Sequence, residues 1–268
     1  MRAVFPGAPS GKPSLHTLPE YRRRAMVAGP SLEWERITAQ VMRCRLPFCD
    51  VTVGVVHAGG EALVVDTGTT LAEARAVVRD VAALTDCVVR HVVVTHNHFD
   101  HVLGHSAFGG AQTFCSAEVV ATMADAGESL RADAIRHGAD PCEVDDALAA
   151  LRPPVGAVCD GVVELGDVVV TIAHPGRGHT AHDLIVVVEG GPRTVVFCGD
   201  LVEESGDPCI DAQSDLDAWP GTLRRVLAAG GESAVYVPGH GALVDASFLR
   251  RQADWLATAA SGRGQVGC

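Results

Sequence analysis

The chain has 268 residues, of which 47% are hydrophobic and 20% charged, so it can bury a core and is neither a disordered nor a collagen-like protein. Its 33 acidic and 21 basic residues give a formal net charge of −12, which disfavours nucleic acid and anionic membranes as partners. No run approaches the roughly 20 apolar residues of a membrane span, and the amino terminus lacks the apolar segment of a secretory signal, so we expect a cytoplasmic protein without a membrane partner.

The first part of the chain predicts an arm and then strands that flank a helix. Residues 1–34 are rich in proline and hold a run of three arginines, which is typical of an extended N-terminal arm. Residues 51–57 and 62–66 predict a β-hairpin around a Gly-Gly turn. Apolar residues at helical spacing over 71–84 predict a helix, and the valine-rich run 88–95 predicts a buried strand.

The second half predicts helices and then a second set of strands. Residues 116–152 interleave acidic with apolar residues, which predicts a helical insertion of two or three short helices, a candidate lid. Strand patterns with meander-type antiparallel connections follow at 161–165, 168–173, 184–189 and 194–198. A helix at 215–229, a strand at 234–237 and a helix at 246–259 complete a domain predicted to span 35–260, before a loose tail, 261–268.

A cluster of potential metal ligands directly follows the predicted strand 88–95. It reads His96-Asn97-His98-Phe99-Asp100-His101, with three imidazoles and one carboxylate within six positions. Zinc and neighbouring transition metals prefer this set of ligands, and a cation offsets the cost of holding such groups together. A solvated loop would explain one isolated histidine, but the ordered string favours a metal site.

Three further ligand-type residues are predicted to lie just past later strands. They are His179 in Gly178-His179-Thr180, Asp200 in Cys198-Gly199-Asp200 and His240 in Pro238-Gly239-His240-Gly241. A rigid sheet that brings such residues to one edge preorganises a metal site. Cys198 is predicted to be a buried thiol rather than a ligand, and the nine irregularly spaced cysteines indicate mostly reduced, buried thiols.

With these motifs the chain resembles the metallo-β-lactamase superfamily. The resemblance runs from about Val41 to Trp255 and includes the turn Asp66-Thr67-Gly68, the six-residue string and the three later sites. It implies an α+β fold, the αββα four-layer sandwich, in which two mixed β-sheets are flanked by helices. It also implies a dinuclear metal site at one edge of the sheets.

The same resemblance implies a ligand set and two metal ions. It assigns the first metal to His96, His98 and His179, the second to Asp100, His101 and His240, and a bridging role to Asp200. The implied cofactors are two zinc ions, with iron or manganese as alternatives. Asp66 is implied to fix a histidine ligand, although hairpin-end turns favour aspartate in any case.

The sequence therefore predicts a dinuclear metal-dependent hydrolase. Two dications lower the pKa of a shared water, so a bridging hydroxide can attack the carbonyl of an ester, thioester, lactone or lactam in a small-molecule substrate. Asp100 is predicted to be catalytic, orienting the hydroxide and passing a proton. His182, just past His179, is a candidate for substrate contact or for bracing its loop, and Glu203, beside Asp200, is a candidate for substrate contact. The sequence does not indicate an oligomeric state.

Two alternatives within the superfamily remain open. β-Lactamases proper with the full string generally lack the bridging aspartate, so Asp200 makes antibiotic hydrolysis a secondary interpretation. Persulfide dioxygenases of this fold bind one iron at positions that resemble His96, His98, His179 and Asp200, which makes an iron oxidoreductase the rival from another class. Lactonases of acyl homoserine lactones commonly carry a tyrosine three residues after the bridging aspartate, and this chain has Glu203 there. The characteristic tyrosine of those lactonases is therefore missing. A binding module is disfavoured because buried, unneutralised ligands are costly.

Overall fold

The computed structural model describes residues 31–263. Two mixed β-sheets face each other with helices on the outside, which confirms the predicted αββα sandwich. Most of the predicted N-terminal arm lies outside the described residues, and so do residues 264–268 of the predicted tail. Of the arm, residues 31–34 are described: the backbone amides of Ser31 and Leu32 donate to the Asp80 carboxylate at 2.9 Å.

The first sheet contains six strands in chain order. They are β1 (Trp34–Arg36), β2 (Val41–Arg45), β3 (Thr52–Ala58), β4 (Glu61–Val65), β5 (Val88–Val93) and β6 (Gln112–Phe114). The first four pair antiparallel, and β4, β5 and β6 pair parallel, with α1 (Leu71–Thr85) as the crossover from β4 to β5. Strands β1, β2 and β6 were not predicted from the sequence, because they are only three to five residues long and partly polar.

The second sheet contains five strands in the order β11-β10-β9-β8-β7. They are β7 (Gly161–Leu165), β8 (Val168–Ala173), β9 (Ile185–Glu189), β10 (Val195–Glu203) and β11 (Val235–His240). The first four form the expected antiparallel meander, and β11 pairs parallel to β10. Helices α6 (Trp219–Gly230) and α7 (Ala246–Arg263) cover this sheet, and α7 continues into the segment predicted as tail.

Four further α-helices and the short 3₁₀ helix His105–Phe108 lie between β5 and β7. The one-turn helix α2 (Phe99–Val102) follows β5 directly. Three more, α3 (Ala117–Asp125), α4 (Gly127–Arg136) and α5 (Pro141–Ala150), occupy the segment 116–152. Asp140 caps α5 by accepting from the backbone N–H groups of Cys142 and Glu143, which satisfies two donors that the first turn leaves free. Movement of this segment as a lid stays a prediction.

Three apolar layers hold the sandwich together. One lies between the two sheets, and the others separate each sheet from its helices. At one edge the sheets are also joined directly: Val51 forms an antiparallel bridge with His240, and the buried Arg43 guanidinium donates to the carbonyl of Gly241 at 2.8 Å. These contacts fix the two sheets relative to each other where the candidate ligands lie.

Two other sequence predictions can be compared with residues 31–263. No helix in this range is long and apolar enough to cross a bilayer. All eight cysteines in the range are free thiols. Four of them, at positions 44, 87, 115 and 198, are buried, whereas those at 142, 159 and 209 are exposed, so the expectation of mostly buried thiols holds for half of them.

Candidate metal centre

The seven predicted ligands meet at the edge where the sheets are joined. His96 and His98 follow β5, Asp100 and His101 lie in α2, and His179 lies in the loop after β8. The other two lie inside strands rather than just past them: Asp200 is within β10, and His240 is the last residue of β11. The predicted strand 194–198 ends earlier than β10 does, because Gly199, with φ of 51°, interrupts the apolar pattern.

Four of the seven residues form a first donor group, His96, His98, His179 and Asp200, whose donor atoms all lie within 4.8 Å of one another. Nδ1 of His98 is 3.0 Å from Nε2 of His179. Oδ2 of Asp200 is 3.5 Å from Nε2 of His96 and 3.5 Å from Nε2 of His179. One atom from each side chain is therefore directed at the same point.

The other three, Asp100, His101 and His240, form a second donor group of the same kind. Oδ2 of Asp100 lies 3.3 Å from Nε2 of His240 and 3.7 Å from Nε2 of His101. Asp200 reaches this group as well: its Oδ1 is 3.3 Å from Nε2 of His101, and its Oδ2 is 3.5 Å from Nε2 of His240. The Asp200 carboxylate thus lies between the two groups.

The donor spacing fits metal ions. Ligand atoms at about 2.0–2.2 Å from one tetrahedral zinc ion are roughly 3.4 Å apart, and the distances above run from 3.0 to 3.7 Å. Several of these atoms are buried without a hydrogen-bond partner among the described residues, namely Nε2 of His96, Nε2 of His101 and Oδ1 of Asp200. Such orphaned atoms are rare in folded proteins, and cations at the two donor groups would satisfy all three.

In the first donor group, the electrostatics favour neutral imidazoles at His96 and His179, whereas at His98 burial lowers the pKa but Asp211, Asp200 and Asp100 outweigh burial and raise it. Burial lowers the pKa of His96 well below 6.5 and also lowers the pKa of His179. In both cases the buried environment penalises the charged ring more than the nearby Asp200 carboxylate stabilises it. A neutral imidazole carries the lone pair that a metal needs.

The second donor group instead favours positive charge. Burial lowers the pKa of His240, but Asp200 and Asp100 outweigh burial and raise it to about 10. The pKa of His101 is raised well above 6.5 in the same way, against burial, by Asp200, Asp66 and Asp100. Burial raises the pKa of Asp200, yet His101, His240 and His96 hold it well below 3.8. The carboxylates around these imidazoles therefore create a place for a cation.

The outward nitrogen of four histidines is held by a neighbouring oxygen. Nδ1 of His96 is 3.0 Å from Oγ1 of Thr95, and Nδ1 of His101 is 2.9 Å from Oδ2 of Asp66. Backbone carbonyls serve the other two: Nδ1 of His179 is 3.1 Å from the carbonyl of Cys209, and Nδ1 of His240 is 2.8 Å from that of Cys49. Each contact directs Nε2 inward, which is how proteins orient imidazole ligands.

Asp66 lies where the sequence placed a carboxylate that fixes a histidine. It is buried, it accepts from the backbone N–H of Thr95 at 2.8 Å, and it has a left-handed φ of 62°.

We expect Asp66→Asn to weaken binding of the ion near His101 about 10–100-fold without unfolding the chain, since asparagine tolerates this φ. Zinc titration against a chelating dye measures the effect. Asp86→Asn, at a left-handed position ending α1, is the matched control and should bind like wild type; equal affinities in both variants would refute the role of Asp66.

The two predicted substrate contacts, His182 and Glu203, are both buried. Nε2 of His182 has no hydrogen-bond partner among the described residues. Oε1 of Glu203 accepts from the backbone N–H and the hydroxyl of Ser205, at 3.0 and 2.5 Å. Burial raises the pKa of Glu203, and the charge of Asp200 adds to this effect. Neither side chain belongs to the two donor groups.

Apart from Asp66, the residues that hold the histidines from outside were not predicted from the sequence. Thr95 precedes the six-residue string directly, and a hydroxyl there is the one local signal that could have been used. Cys49 and Cys209 act through their backbone carbonyls, and no side-chain pattern reports such a role. Asp211 and Gln213, which face His98, lie in a loop whose path the sequence does not predict.

The fold and the donor cluster define an αββα sandwich with a histidine- and aspartate-rich centre at one sheet edge. A sequence model of the metallo-beta-lactamase superfamily matches residues 46–240, a range that includes all seven candidate ligands. The chain belongs to this superfamily.

Individual relatives agree with this assignment, and solved structures share the fold. Probable metallo-hydrolases of Mycobacterium tuberculosis and Mycobacterium bovis are each 30% identical to the chain over 138 residues, covering 44% of this chain and 38% of theirs. The match thus covers about two fifths of the length of these relatives. The crystal structure of VMB-1 superimposes with a TM-score of 0.65 at 18% identity, over 87% of this chain and 100% of that one. DIM-1 metallo-beta-lactamase gives 0.63 at 18% identity, over 87% and 99%.

Proposed function

We propose that the protein is a metal-dependent hydrolase with a two-ion centre, which cleaves an ester, thioester, lactone or lactam in a small molecule. His96, His98 and His179 would hold one ion, and Asp100, His101 and His240 the other, with Asp200 shared between them. The position of Asp200 carries this proposal, because its two oxygens lie 3.3 to 3.5 Å from nitrogens of both donor groups. The probable metallo-hydrolases among its relatives support the reaction class.

The ions would supply the reactive chemistry: bound dications, zinc in this proposal, lower the pKa of coordinated water and polarise a carbonyl oxygen. The chain itself provides preorganisation. Asp200 and His240 lie in strands of the second sheet, and the string His96–His101 follows β5 of the first. Folding, and not substrate binding, therefore brings these donor atoms together. Burial of His96, His101 and His179 excludes bulk water from the ligand side of the centre.

Asp100 is the residue that we propose to handle the proton. Its Oδ2 faces His101 and His240, at 3.7 and 3.3 Å. Its carboxylate is buried, so its surroundings restrict its orientation within the second donor group. A carboxylate in this position can accept a proton from the nucleophile and return it to the leaving group.

A hydrolysis panel on metal-depleted and zinc-reconstituted protein tests this function. We expect turnover of at least one ester, thioester, lactone or lactam that appears on adding zinc and disappears with chelator. His98→Ala, which removes a donor of the first group, should lack this turnover. The proposal would be contradicted in favour of an oxidoreductase if the protein hydrolysed no substrate of the panel, bound one iron per chain and consumed oxygen with a persulfide.

Glu203 provides a separate test of substrate recognition. We expect Glu203→Gln to change relative rates across the panel several-fold while the metal content stays at the wild-type value, because Glu203 is beside the centre but outside both donor groups. The amide keeps the size and the hydrogen bonds from Ser205 but removes the charge. Glu204→Gln, at the more exposed neighbouring position, is the control. Unchanged relative rates in Glu203→Gln would dispose of the idea.

A further inference from the structure

The loop between β10 and α6, residues 204–218, crosses the first donor group. It contacts His179 twice: the carbonyl of Cys209 lies 3.1 Å from Nδ1, and the hydroxyl of Ser214 donates to the His179 carbonyl at 2.9 Å. The same loop brings the side chains of Asp211 and Gln213 to His98. One segment therefore supports two of the three histidines in this group.

The two nitrogens of the His98 ring face different surroundings. Nδ1 points inward and is 3.0 Å from Nε2 of His179. Nε2 points outward, where Oδ2 of Asp211 lies at 3.6 Å and the amide nitrogen of Gln213 at 3.3 Å. His98 thus reverses the pattern of the other four histidines, which point Nε2 inward and Nδ1 outward.

The surroundings of Nε2 decide which tautomer His98 adopts. A neutral imidazole has a single N–H, so Nδ1 offers a lone pair to an ion only when the hydrogen is on Nε2. The Asp211 carboxylate is an acceptor for that hydrogen. Gln213 opposes it: its amide oxygen already accepts from Nδ2 of Asn97 at 3.3 Å, so its N–H groups face His98 and favour a bare Nε2. The attraction of a charged carboxylate for the N–H is stronger than a neutral contact at similar distance, so the Asp211 side chain favours the tautomer with hydrogen on Nε2.

We infer that Asp211 is a positioning residue that holds the hydrogen of His98 on Nε2 and thereby leaves Nδ1 free for the ion of the first donor group. The inference rests on the proposed function. Asp211 does for His98 what Asp66 does for His101, although Asp66 is buried and the Asp211 side chain is 37% exposed. The 3.6 Å separation is longer than a hydrogen bond, but the loop itself holds the carboxylate towards His98, because the backbone N–H of Gln213 donates to the other oxygen, Oδ1, at 2.7 Å.

Stepwise zinc binding to Asp211→Ala, followed by competition with a chelating dye, tests the inference. We expect one of the two ions to bind about 10–100-fold more weakly and the other to bind as in wild type. Cobalt-substituted protein should show an altered visible spectrum, because the ligand field of one ion changes. Activity should fall at limiting zinc and recover when zinc is in excess. Asp211→Glu, which keeps the carboxylate, should restore most of the affinity.

Asp207→Ala is the matched control, since Asp207 is an exposed aspartate of the same loop. It should leave zinc affinity and the cobalt spectrum unchanged. Wild-type affinity and an unaltered spectrum in Asp211→Ala would overturn the inference, and so would an equal loss in Asp207→Ala, which would reveal only a general charge effect. If wild type hydrolyses its substrate with two ions and Asp211→Ala matches it, this inference alone fails. If wild type binds no ion, the proposed function fails with it.

Discussion

Asp200→Asn is expected to abolish hydrolysis and to lower the number of bound ions per chain. The substitution keeps the volume of the side chain but removes the charge that faces four histidine nitrogens, belonging to His96, His101, His179 and His240. Its effect on activity should exceed the roughly 10–100-fold loss that follows removal of an outer partner of a ligand. Metal analysis of the purified variant, together with its kcat/KM, measures both consequences.

The control for this experiment is Asp217→Asn, an exposed aspartate before α6. It should retain the wild-type rate and metal content. Because Asp200 is buried between imidazoles whose positive charge it stabilises, its loss also leaves that charge uncompensated, so thermal unfolding of the variant is measured beside its activity to separate loss of the site from loss of the fold. A variant at position 200 with two ions and full activity would show that the carboxylate is not shared between them.

Gly239→Ala is expected to have the second-largest effect, although glycine has no side chain to act in catalysis. A methyl group at Gly239 would overlap Oδ1 of Asp200 and would lie 2.9 Å from the carbonyl carbon of Gly199. Asp200 cannot move away freely, because imidazoles surround it. A misplacement of about 1 Å at a reacting centre can cost about 10²-fold in rate, and we expect a loss of kcat/KM of at least this size.

Gly206→Ala is the matched control for Gly239→Ala, because a methyl group at Gly206 meets nothing within 4 Å. It should behave like wild type in both rate and metal content. Circular dichroism and thermal unfolding of both variants separate a local effect from loss of the fold. A Gly239→Ala enzyme with the wild-type rate would mean that Asp200 does not need its observed position.

The main elements of the fold could be predicted because their signals are local. The hairpin of β3 and β4 has a Gly-Gly turn between two valine-rich runs, and α1 has regular helical spacing. Strands β1 and β6 have only three residues each, and they form because longer neighbours already present an edge to pair with. Such strands depend on tertiary context, and a short sequence pattern does not report it.

The residues of the candidate site likewise include some that the sequence predicts and some that it does not. The sequence alone identifies a cluster of four candidate ligands that lie within six positions, namely His96, His98, Asp100 and His101. The backbone contacts that hold His179 and His240 from outside could not be predicted: His240 and Cys49, for example, are separated by 191 positions and meet only when the two sheets close. The contact of Asp211 with His98 depends on the path of an irregular loop, where neither spacing nor residue type predicts the partner.

Stepwise zinc binding to the metal-free protein tests the central claim most directly. The two donor groups predict two zinc ions per chain, with hydrolytic activity rising as the centre fills. His240→Ala, which removes a donor of the second group only, should bind one ion. Saturation of the wild-type chain at one ion, or unchanged stoichiometry in His240→Ala, would contradict a centre in which Asp200 joins two metal ions.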